Sequence, residues 1–408
     1  MSKLHTSDLS GRLQIGARDS VYYLLKLLQT LPMKKNSIVF EEYQGRSASC
    51  NPRAIYEYLR TNYPGRFSYV WAFKDPEAFR EEFAGTDVTL VRYGSFEWIR
   101  ACVQAGTVIY NIGEASYIPR RKGQLTINTW HAGGAFKRVG LSSEKESALH
   151  HWQHDIVPSR QTAVYLSSSD TFTKYNIREA YHFTGTVWNS GMPRNDLFFD
   201  RDKMQAAAMK ARETLGLDEE SLLVLYAPTY RGGIEKGDGG AKVTFPAREL
   251  VKAVEERFER PCRLLFRTHY LDKNTYAEEE GITDVSSYPN MQELLAAADI
   301  LITDYSSSMW DFALTGKPCL LFVPDLEYYA GEDRGFYTPP ETWPGMLCHN
   351  DAELAESIRS LDLGNCVRIA ETSLAAFGSC EHGDASKKVC EAIVRHIEKL
   401  EEKRGEKA

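Results

Sequence analysis

The sequence has no uninterrupted hydrophobic run that approaches the ~20 residues needed for a bilayer-spanning helix. Its first twenty residues, MSKLHTSDLSGRLQIGARDS, also lack the continuous apolar segment and the small-residue cleavage site of a signal peptide. We therefore expect a chain that is neither secreted by a signal peptide nor anchored by a spanning helix. The expected location is the cytoplasm, including the inner face of the cell membrane.

Paired cysteines and a basic overall charge are also missing. The eight cysteines are scattered, with no CxxC pair and no metal-finger spacing, which indicates reduced thiols. They are Cys50, Cys102, Cys262, Cys319, Cys348, Cys366, Cys380 and Cys390. The formal net charge of −7 provides no basic surface for nucleic acid, so we expect no nucleic-acid partner.

The length of 408 residues exceeds what one hydrophobic core usually organises, and 43% hydrophobic residues is an ordinary globular composition. Short apolar runs rich in β-forming residues alternate with segments of helical pattern in both halves. This alternation is typical of βαβ units and parallel sheets, so we predict an α/β fold of two Rossmann-like domains. The predicted strands are residues 37–41, 68–73, 88–92, 107–111, 125–129, 222–227, 263–267, 300–303 and 319–323.

A stretch rich in turn-forming residues, WNSGMPRND at 188–196, separates the two halves. We place the domain boundary near residue 200, with an N-terminal domain at 1–200 and a C-terminal domain at 201–408. Residues 385–400 have apolar positions at helical spacing and precede a charged tail. This helix of the second domain is a candidate to pack back across the domain junction.

Residues 21–35, VYYLLKLLQTLPMKK, are apolar with a basic edge. They form either an interfacial membrane helix or a helix docked on its own domain, and both explain the pattern equally well. Any membrane contact would be peripheral, because the segment combines apolar residues with Lys26, Lys34 and Lys35. A second segment, GGIEKGDGG at 232–240, is either a mobile loop beside the site or a plain surface turn.

The sequence NTWHAGGAFK at 128–137 follows directly on a predicted strand. A histidine at the C-terminal end of a parallel strand faces the crevice where such sheets bind ligands. Because an imidazole titrates near neutral pH, His131 is a candidate to take the proton of an acceptor hydroxyl. Gly133 and Gly134 would let a substrate approach the backbone. The alternative is a histidine held by hydrogen bonds beside a tight turn.

Two further strand ends carry cationic side chains. YAPTYR at 226–231 ends in Arg231, whose planar donor fork suits a phosphate, although a loop arginine is often only a surface charge. FRTH at 266–269 places Arg267 and His269 together at one strand end. Two such groups suit a diphosphate, or either one caps a neighbouring helix.

In ADILITDYSSSMWD at 298–311, a predicted strand runs into Asp304, three serines and then a helix. Ser306, Ser307 and Ser308 would place hydroxyl and backbone N–H groups at a helix N-terminus, where the helix dipole favours a phosphate. Serine capping alone gives much of the same pattern. Asp304 would repel a phosphate, so we expect it to orient a histidine or a backbone turn.

Taken together, these motifs resemble the CDP-glycerol glycerophosphotransferase family, which builds teichoic-acid-like polymers. The shared motifs are TWHxG…K, YAPTYR, RTH, ADILITDYSS, DLEYY…RGFY and a terminal HGDAS, in the order and approximate spacing of that family. FEEYQG at 40–45 and NPRAIY at 51–56 resemble its opening strand and first helix. The resemblance spans about residues 37–390.

The resemblance implies a GT-B-type arrangement with the active site in the interdomain cleft, the CDP-activated donor on the C-terminal domain and the acceptor on the N-terminal one. It also implies the reaction: an acceptor hydroxyl attacks the β-phosphorus of CDP-glycerol, CMP leaves, and a glycerol phosphate unit is added. The acceptor would be a lipid-linked or polysaccharide chain of a teichoic-acid-like or capsule polymer.

By the same resemblance, His131, His269 and Asp304 are the expected catalytic residues. We assign His131 as the base and His269 to stabilising charge on the phosphates. The expected substrate-binding residues are Arg231, Arg267, Ser306, Ser307, Ser308, Arg334, Gly133, Gly134 and Lys137. The chain departs from the family after the first histidine, where glycine replaces the usual proline. Because glycine is conformationally freer than proline, this acceptor-side loop differs in expected shape, and acceptor identity stays open.

Two clusters of metal-ligating residue types have simpler explanations than a metal ion. Three histidines at helical spacing are more readily a solvated helix face, and three carboxylates are more readily salt-bridge partners of Arg334. The clusters are His150, His151 and His154, and Asp325, Glu327 and Asp333. We therefore expect activity without an obligatory metal or other cofactor.

Competing functions remain open at this stage. A GT-B glycosyltransferase that uses a nucleotide sugar would share the fold, and a CDP-ribitol ribitolphosphotransferase would share the chemistry. A catalytically silent binding subunit is a further class, although the presence of both His131 and His269 argues against it. The sequence does not distinguish a primase from a polymerase, nor a monomer from an oligomer.

Overall fold

The structure, a computed structural model, describes residues 2–112, 117–134, 136–143, 147–229, 245–267, 282–333 and 335–405. The chain divides into two compact units. Unit 1 contains Met1–His131, Val139–Asp196 and Cys380–Ala408, and unit 2 contains Ala132–Arg138 and Leu197–Ser379. The main division therefore follows Asp196, and the C-terminal segment lies in unit 1 and not in the domain that begins near residue 200.

Unit 1 is built on a seven-stranded parallel sheet with the order β3-β2-β1-β4-β5-β6-β7. Its strands are β1 (Lys34–Glu41), β2 (Ser68–Phe73), β3 (Thr89–Arg92), β4 (Ala105–Tyr110), β5 (Leu125–Asn128), β6 (Val164–Ser167) and β7 (Thr186–Asn189). Its helices are α1 (Ser2–Leu25), α2 (Asn51–Asn62), α3 (Phe96–Gln104), α4 (Ala148–His151) and α5 (Val157–Gln161), with 3₁₀ turns at Lys26–Thr30, Glu77–Phe79 and Gly140–Ser142 and π-helical turns at Trp152–Ile156 and Phe172–Glu179.

Unit 2 is built on a six-stranded parallel sheet with the order β10-β9-β8-β11-β12-β13. Its strands are β8 (Leu222–Tyr226), β9 (Cys262–Phe266), β10 (Ile282–Asp284), β11 (Ile300–Thr303), β12 (Cys319–Phe322) and β13 (Met346–Cys348). Its helices are α6 (Arg201–Thr214), α7 (Ala247–Phe258), α8 (Met291–Ala297), α9 (Ser308–Ala313), α10 (Leu326–Tyr328), α11 (Asp351–Arg359) and α12 (Leu363–Ala376). It also has a 3₁₀ turn at Pro340–Thr342 and a π-helical turn at Tyr329–Asp333, and the 3₁₀ turn at Pro193–Phe199 includes the last residues before the division and the first after it.

Both sheets follow the Rossmann plan, and their central strands are buried over their full length, as in β4, β8 and β11. The strand order reverses between β1 and β4 in the first sheet and between β8 and β11 in the second. Ligands bind Rossmann sheets outside the carboxyl ends of the strands at such a switch point. We therefore expect functional side chains beyond the carboxyl ends of β1 and β4 in the first sheet and of β8 and β11 in the second.

The C-terminal helix α13 (Ala385–Gly405) packs into the core of unit 1. Val389 and Ile393 on this helix are fully buried. At its N-terminus, the Asp196 carboxylate accepts hydrogen bonds from the backbone N–H groups of Ala385 (2.9 Å) and Ser386 (2.7 Å). The HGDAS motif therefore marks a capped helix start, because a carboxylate satisfies N–H groups that have no partner within the helix.

The apolar segment at 21–35 is not one helix. Helix α1 ends at Leu25, a 3₁₀ turn follows, and strand β1 begins at Lys34. The prediction that Lys34 and Lys35 form the basic edge of an interfacial helix is therefore wrong, and the Lys35 ammonium donates to the carbonyl of Leu400. Within the described ranges, no helix has the length and apolar character required to span a bilayer.

Candidate functional site

The switch point of the first sheet carries His131, which follows β5 closely. Its Nδ1 lies 3.1 Å from the carbonyl oxygen of Asn111, which is the residue after β4. Because a carbonyl only accepts, Nδ1 carries the proton and Nε2 is the basic nitrogen. The imidazole stacks on Trp130 with 5.0 Å between ring centroids and meets the edge of Tyr43 at 5.6 Å. The ring is thereby fixed in tautomer and in orientation.

The residue before this histidine has a strained backbone. Trp130 has a φ of 53°, in the left-handed region that a bulky side chain rarely adopts. The Asn51 amide donates to the carbonyls of Thr129 (3.2 Å) and Trp130 (3.0 Å). Nη1 of Arg194 donates to the carbonyl of His131 at 2.9 Å, and the Arg194 N–H donates to the Asn51 side chain at 3.1 Å. Asn51 and Arg194 therefore position His131, a role that the sequence motifs did not reveal.

A buried carboxyl group anchors the loop that carries Tyr43. Glu42 is fully buried and accepts backbone hydrogen bonds from Ser49 (2.9 Å), Cys50 (2.8 Å) and Arg53 (3.2 Å). Burial raises the pKa of Glu42 to about 7, and these bonds offset only part of that rise. Glu42 thus ties the loop after β1 to the start of α2 and holds Tyr43 beside the imidazole of His131.

A cavity of about 250 Å³ lies beside His131 within unit 1. Its wall includes Arg18 of α1, Trp130, and residues of the helical segment around Gln153. The sequence motifs marked only the part of this wall at residues 128–131, because the rest comes from α1 and from the segment that follows α4.

The switch point of the second sheet is closed by Asp304, which directly follows β11 and is 1% exposed. Its Oδ1 accepts hydrogen bonds from the backbone N–H of Thr229 (2.8 Å) and of Tyr305 (2.5 Å). Thr229 lies beyond the end of β8, so one carboxylate ties the two strand ends together. The Lys137 ammonium donates to the Tyr305 carbonyl at 3.1 Å. Asp304 therefore shapes a backbone turn, and Lys137 contacts that turn.

The three serines form a tight turn before the short helix α9. The Ser306 hydroxyl oxygen accepts from the Ser308 hydroxyl at 3.0 Å and from the Ser308 N–H at 3.4 Å. Ser307 occupies the N-cap position of α9 without a side-chain cap bond. Ser306 and Ser307 are partly exposed, so their hydroxyls lie at the surface of the turn that Asp304 holds.

The other predicted donor-side residues divide into two groups. Arg267 follows β9, and its Nη1 donates to the carbonyls of Tyr288 (2.6 Å) and Val285 (3.4 Å). Part of its donor fork therefore supports the chain after β10. Arg231, His269 and Arg334 lie outside the described residues.

Gly133 and Gly134 pack tightly within unit 2. A Cβ atom on Gly134 would lie 2.3 Å from ring atoms of Trp310, and one on Gly133 would lie 2.9 Å from the Asp311 carboxylate. The contact at Gly134 overlaps a rigid ring, whereas the contact at Gly133 would require the Asp311 carboxylate to move. Packing against α9 is therefore a sufficient reason for glycine at both positions, in addition to the expected approach of a substrate.

Residues 136–138 pair with residues 335–337 in an antiparallel bridge. The N–H of Tyr337 donates to the carbonyl of Phe136 at 2.7 Å. The Phe136 ring is buried and contacts Trp343 with 5.1 Å between centroids. The end of the HAGGAFK motif and the RGFY motif are therefore two sides of one contact in unit 2, although they lie far apart in the sequence.

The clusters considered for metal binding make other contacts. His154 Nδ1 lies 2.8 Å from the carbonyl of His150, and His151 Nε2 lies 3.2 Å from the Asp155 carboxylate. Asp325 accepts a hydrogen bond from the Tyr305 hydroxyl at 2.9 Å. In the ranges that the structure describes, no group of three His, Cys, Asp or Glu side chains is arranged to hold a metal ion.

A protein-family model described as CDP-glycerol:poly(glycerophosphate) glycerophosphotransferase matches residues 22–395. The chain is 29% identical over 382 residues to the teichoic acid poly(glycerol phosphate) polymerase of Bacillus spizizenii, covering 91% of this chain and 95% of that protein. It is 28% identical over 389 residues to the teichoic acid glycerol-phosphate transferase of Staphylococcus aureus, covering 92% and 97%.

A more distant relative is the teichoic acid ribitol-phosphate primase of Bacillus spizizenii, which is 26% identical over 388 residues. It aligns with 94% of this chain and 96% of its own length. Among solved structures, the wall teichoic acid polymerase TagF superposes with a TM-score of 0.78 at 25% identity and covers 98% of this chain and 99% of that one. The likeness extends over both α/β units.

Proposed function

The chain belongs to the CDP-glycerol:poly(glycerophosphate) glycerophosphotransferase family, and on that premise we propose that it transfers glycerol phosphate from CDP-glycerol to a hydroxyl of a teichoic-acid-type polymer. The observation that carries the mechanism is the fixed tautomer of His131 at the switch point of the first sheet. With Nδ1 donating to the Asn111 carbonyl, Nε2 is the nitrogen that would accept a proton.

In the proposed reaction, the acceptor hydroxyl attacks the β-phosphorus of CDP-glycerol. A new oxygen–phosphorus bond forms, the bond from that phosphorus to CMP breaks, and the hydroxyl proton passes to Nε2 of His131. A hydroxyl has a pKa far above neutrality, so a base that accepts the proton as the bond forms lowers the barrier. Asn51 and Arg194 keep the imidazole in place by bonding the backbone on either side of it.

Donor binding is proposed for unit 2, where the Asp304-held turn presents the Ser306 and Ser307 hydroxyls. Hydroxyl and backbone N–H groups at a strand end suit a diphosphate. Lys137, bonded to the same turn, adds a positive charge beside it. His269, Arg231 and Arg334 remain proposed members of this group on the strength of the motif resemblance. Catalysis without an obligatory metal also remains a prediction, tested by turnover in chelator.

Acceptor delivery is proposed to occur at the membrane surface, with a lipid-linked chain as acceptor. Leu9, Leu13, Tyr23 and Leu24 are all exposed on α1 and fall within about 100° of one another at the helical angle of 100° per residue. Such a face suits shallow, peripheral insertion beside headgroups. Because the exposed Lys26 adds positive charge to this segment, binding to vesicles of anionic lipid should weaken at high salt, and binding that resists salt and carbonate would contradict peripheral contact.

The direct test is a donor panel. Purified protein with a glycerol phosphate-terminated acceptor should release CMP from CDP-glycerol and extend the acceptor by mass spectrometry. CDP-ribitol belongs in the panel because one relative with nearly full-length alignment is a ribitol-phosphate primase. Release of a nucleoside diphosphate from a nucleotide sugar, with no CMP from either CDP donor, would overturn the proposed function.

A further inference from the structure

The cavity beside His131 is enclosed by parts of unit 1 that the proposed reaction has not yet used. Its lining includes Arg18 of α1, Asn128 at the end of β5, His154 and Tyr181, together with Trp130 and His131. Its volume of about 250 Å³ is somewhat below the ~300–1,000 Å³ of pockets for drug-sized ligands. The space therefore suits one small polar unit better than a long polymer segment.

The wall combines aromatic faces with neutral hydrogen-bonding groups. The Trp130 and Tyr181 rings lie 5.3 Å apart, and the His154 ring lies 5.5 Å from Tyr181. Burial lowers the pKa of His154, so its ring is neutral near pH 7. Aromatic rings beside neutral donors and acceptors provide apolar contact for carbon atoms and hydrogen bonds for hydroxyls, which is the chemistry that a polyol requires.

A buried amide contributes to the polar part of the wall. Asn128 is 1% exposed, and its Oδ1 accepts from the Trp130 N–H at 2.9 Å. Its side chain is also a hydrogen-bond partner of the Tyr165 hydroxyl, which lines the same cavity. An amide and a phenol hydroxyl therefore lie together in this wall, and both are groups that can bond to a ligand hydroxyl.

Arg18 supplies a positive charge to the wall. Its guanidinium lies 5.9 Å from the centroid of the Trp152 ring, and the neighbouring Asp19 is held by Arg160 at 2.6 Å. Helix α1 is thereby fixed against α5, with Arg18 half-buried at the cavity. An arginine at this position matches a phosphate oxygen, because its planar donors form charge-assisted hydrogen bonds.

We propose that this cavity is the acceptor subsite, which takes the terminal glycerol unit of a polyol-phosphate chain with its phosphate at Arg18 and its attacking hydroxyl at His131. The inference rests on the proposed function and adds to it the place where the acceptor end binds. It assigns Arg18 to binding, a residue of the first helix that no motif marked.

The test uses steady-state kinetics with CDP-glycerol and two soluble probes, free glycerol and a short alkyl glycerol 1-phosphate. Arg18→Gln should raise KM for the phosphate-bearing probe roughly ten- to a hundredfold, the effect of losing a charge-assisted hydrogen bond. KM for free glycerol and for CDP-glycerol should not change, and Arg18→Lys should retain most of the affinity. Arg12→Gln, an exposed charge on the same helix, is the matched control and should behave as wild type.

A second variant tests the cavity without changing charge. Gln153→Trp places a large ring in the wall and should raise KM for both acceptor probes while sparing KM for CDP-glycerol. If the wild type is active and neither Arg18→Gln nor Gln153→Trp changes KM for the acceptor probes, the proposed acceptor subsite is wrong, while the proposed function stands. A wild type that releases no CMP from CDP-glycerol with either probe would instead overturn the proposed function on which the inference rests.

Discussion

At the switch point of the first sheet the chain presents an imidazole framed by aromatic rings, whereas at that of the second sheet it presents a buried carboxylate and a serine turn. His131 donates to the Asn111 carbonyl and retains a basic nitrogen. Asp304 instead uses its charge to fix the backbone of Thr229 and Tyr305. The same strand arrangement thus holds an oriented imidazole in unit 1 and shapes a backbone turn in unit 2.

The difference follows from what each site must do. A general base works best when its geometry is fixed, which the oriented imidazole of His131 satisfies. A diphosphate requires donors at fixed positions, and a buried carboxylate can hold a turn so that other groups point outward. If this division is right, substitutions at the two switch points should separate turnover from donor binding.

His131→Ala should have the largest effect. Removing the base should lower turnover by roughly 10²–10⁴-fold, while CDP-glycerol affinity, measured by calorimetry, should stay near that of wild type. His182→Ala, which removes an exposed imidazole of the same unit, should leave turnover unchanged. If His131→Ala instead lost CDP-glycerol binding but kept its turnover at saturating CDP-glycerol, the roles of the two switch points would have to be exchanged.

Asp304→Ala should lower the stability of the fold around the second switch point. It removes the acceptor of two backbone N–H groups at a position that is 1% exposed. Hydrogen bonds to a charged group are each worth about 1.5–3 kcal/mol, so loss of the two should lower the free energy of unfolding by about 3–6 kcal/mol in urea titrations. CDP-glycerol binding should weaken as well, whereas Asp304→Asn, which keeps an oxygen acceptor, should be milder. Equal stability of the alanine variant and wild type would contradict this role.

Much of this architecture is predictable from the sequence. Strands β2 and β11 begin and end where their apolar runs do, because a buried parallel strand reads as a continuous hydrophobic segment. The strands β6, β7, β10 and β13 were not predicted, and length alone does not explain this, because β5, β11 and β12 also have four residues and were predicted. WNSGMPRND reads as a linker, yet its first residues complete β7, because pairing with β6 overrides local turn propensity.

The supporting residues of the site were harder to predict. Asn51 and Arg194 act through backbone atoms that lie more than sixty positions away along the chain, and no local pattern reports such a contact. The pairing of the HAGGAFK and RGFY motifs is equally non-local. A positive φ at Trp130 also has no signature, because bulky residues seldom adopt it. Motif position therefore predicts the reactive group, and the structure shows which residues hold it in place.

Glu42→Gln should reveal a pH dependence that belongs to unit 1. The pKa of Glu42 is raised from 4.5 to about 7 by burial, so between these pH values the folded chain binds more protons than the unfolded chain. Stability should therefore be greatest below pH 4.5 for this group and fall as the pH rises to 7, by at most about 3 kcal/mol.

The measurement for Glu42 is urea unfolding at a series of pH values. Glu42→Gln should flatten the decline between pH 4.5 and 7, because the amide does not titrate. Glu57→Gln, which changes an exposed carboxylate on α2, should keep the wild-type slope. An unaltered slope in Glu42→Gln would mean that another group causes the decline and that Glu42 is ionised in the folded state.

Gly134→Ala should have the smallest effect on stability of these substitutions. It tests whether the residues after His131 act in the packing of unit 2 or in the site of unit 1. The added methyl would lie 2.3 Å from the Trp310 ring, which is 4% exposed and packs on Phe377 with 4.3 Å between centroids. The ring has little room to move, so the substitution should cost about 1–3 kcal/mol of unfolding free energy, as overpacking of a core does. Gly331→Ala, where a Cβ meets open space, is the matched control and should change stability by less than about 0.5 kcal/mol. If Gly134→Ala proved as stable as the control but lost turnover, substrate approach would explain the glycine, and the loop would belong functionally to the first switch point.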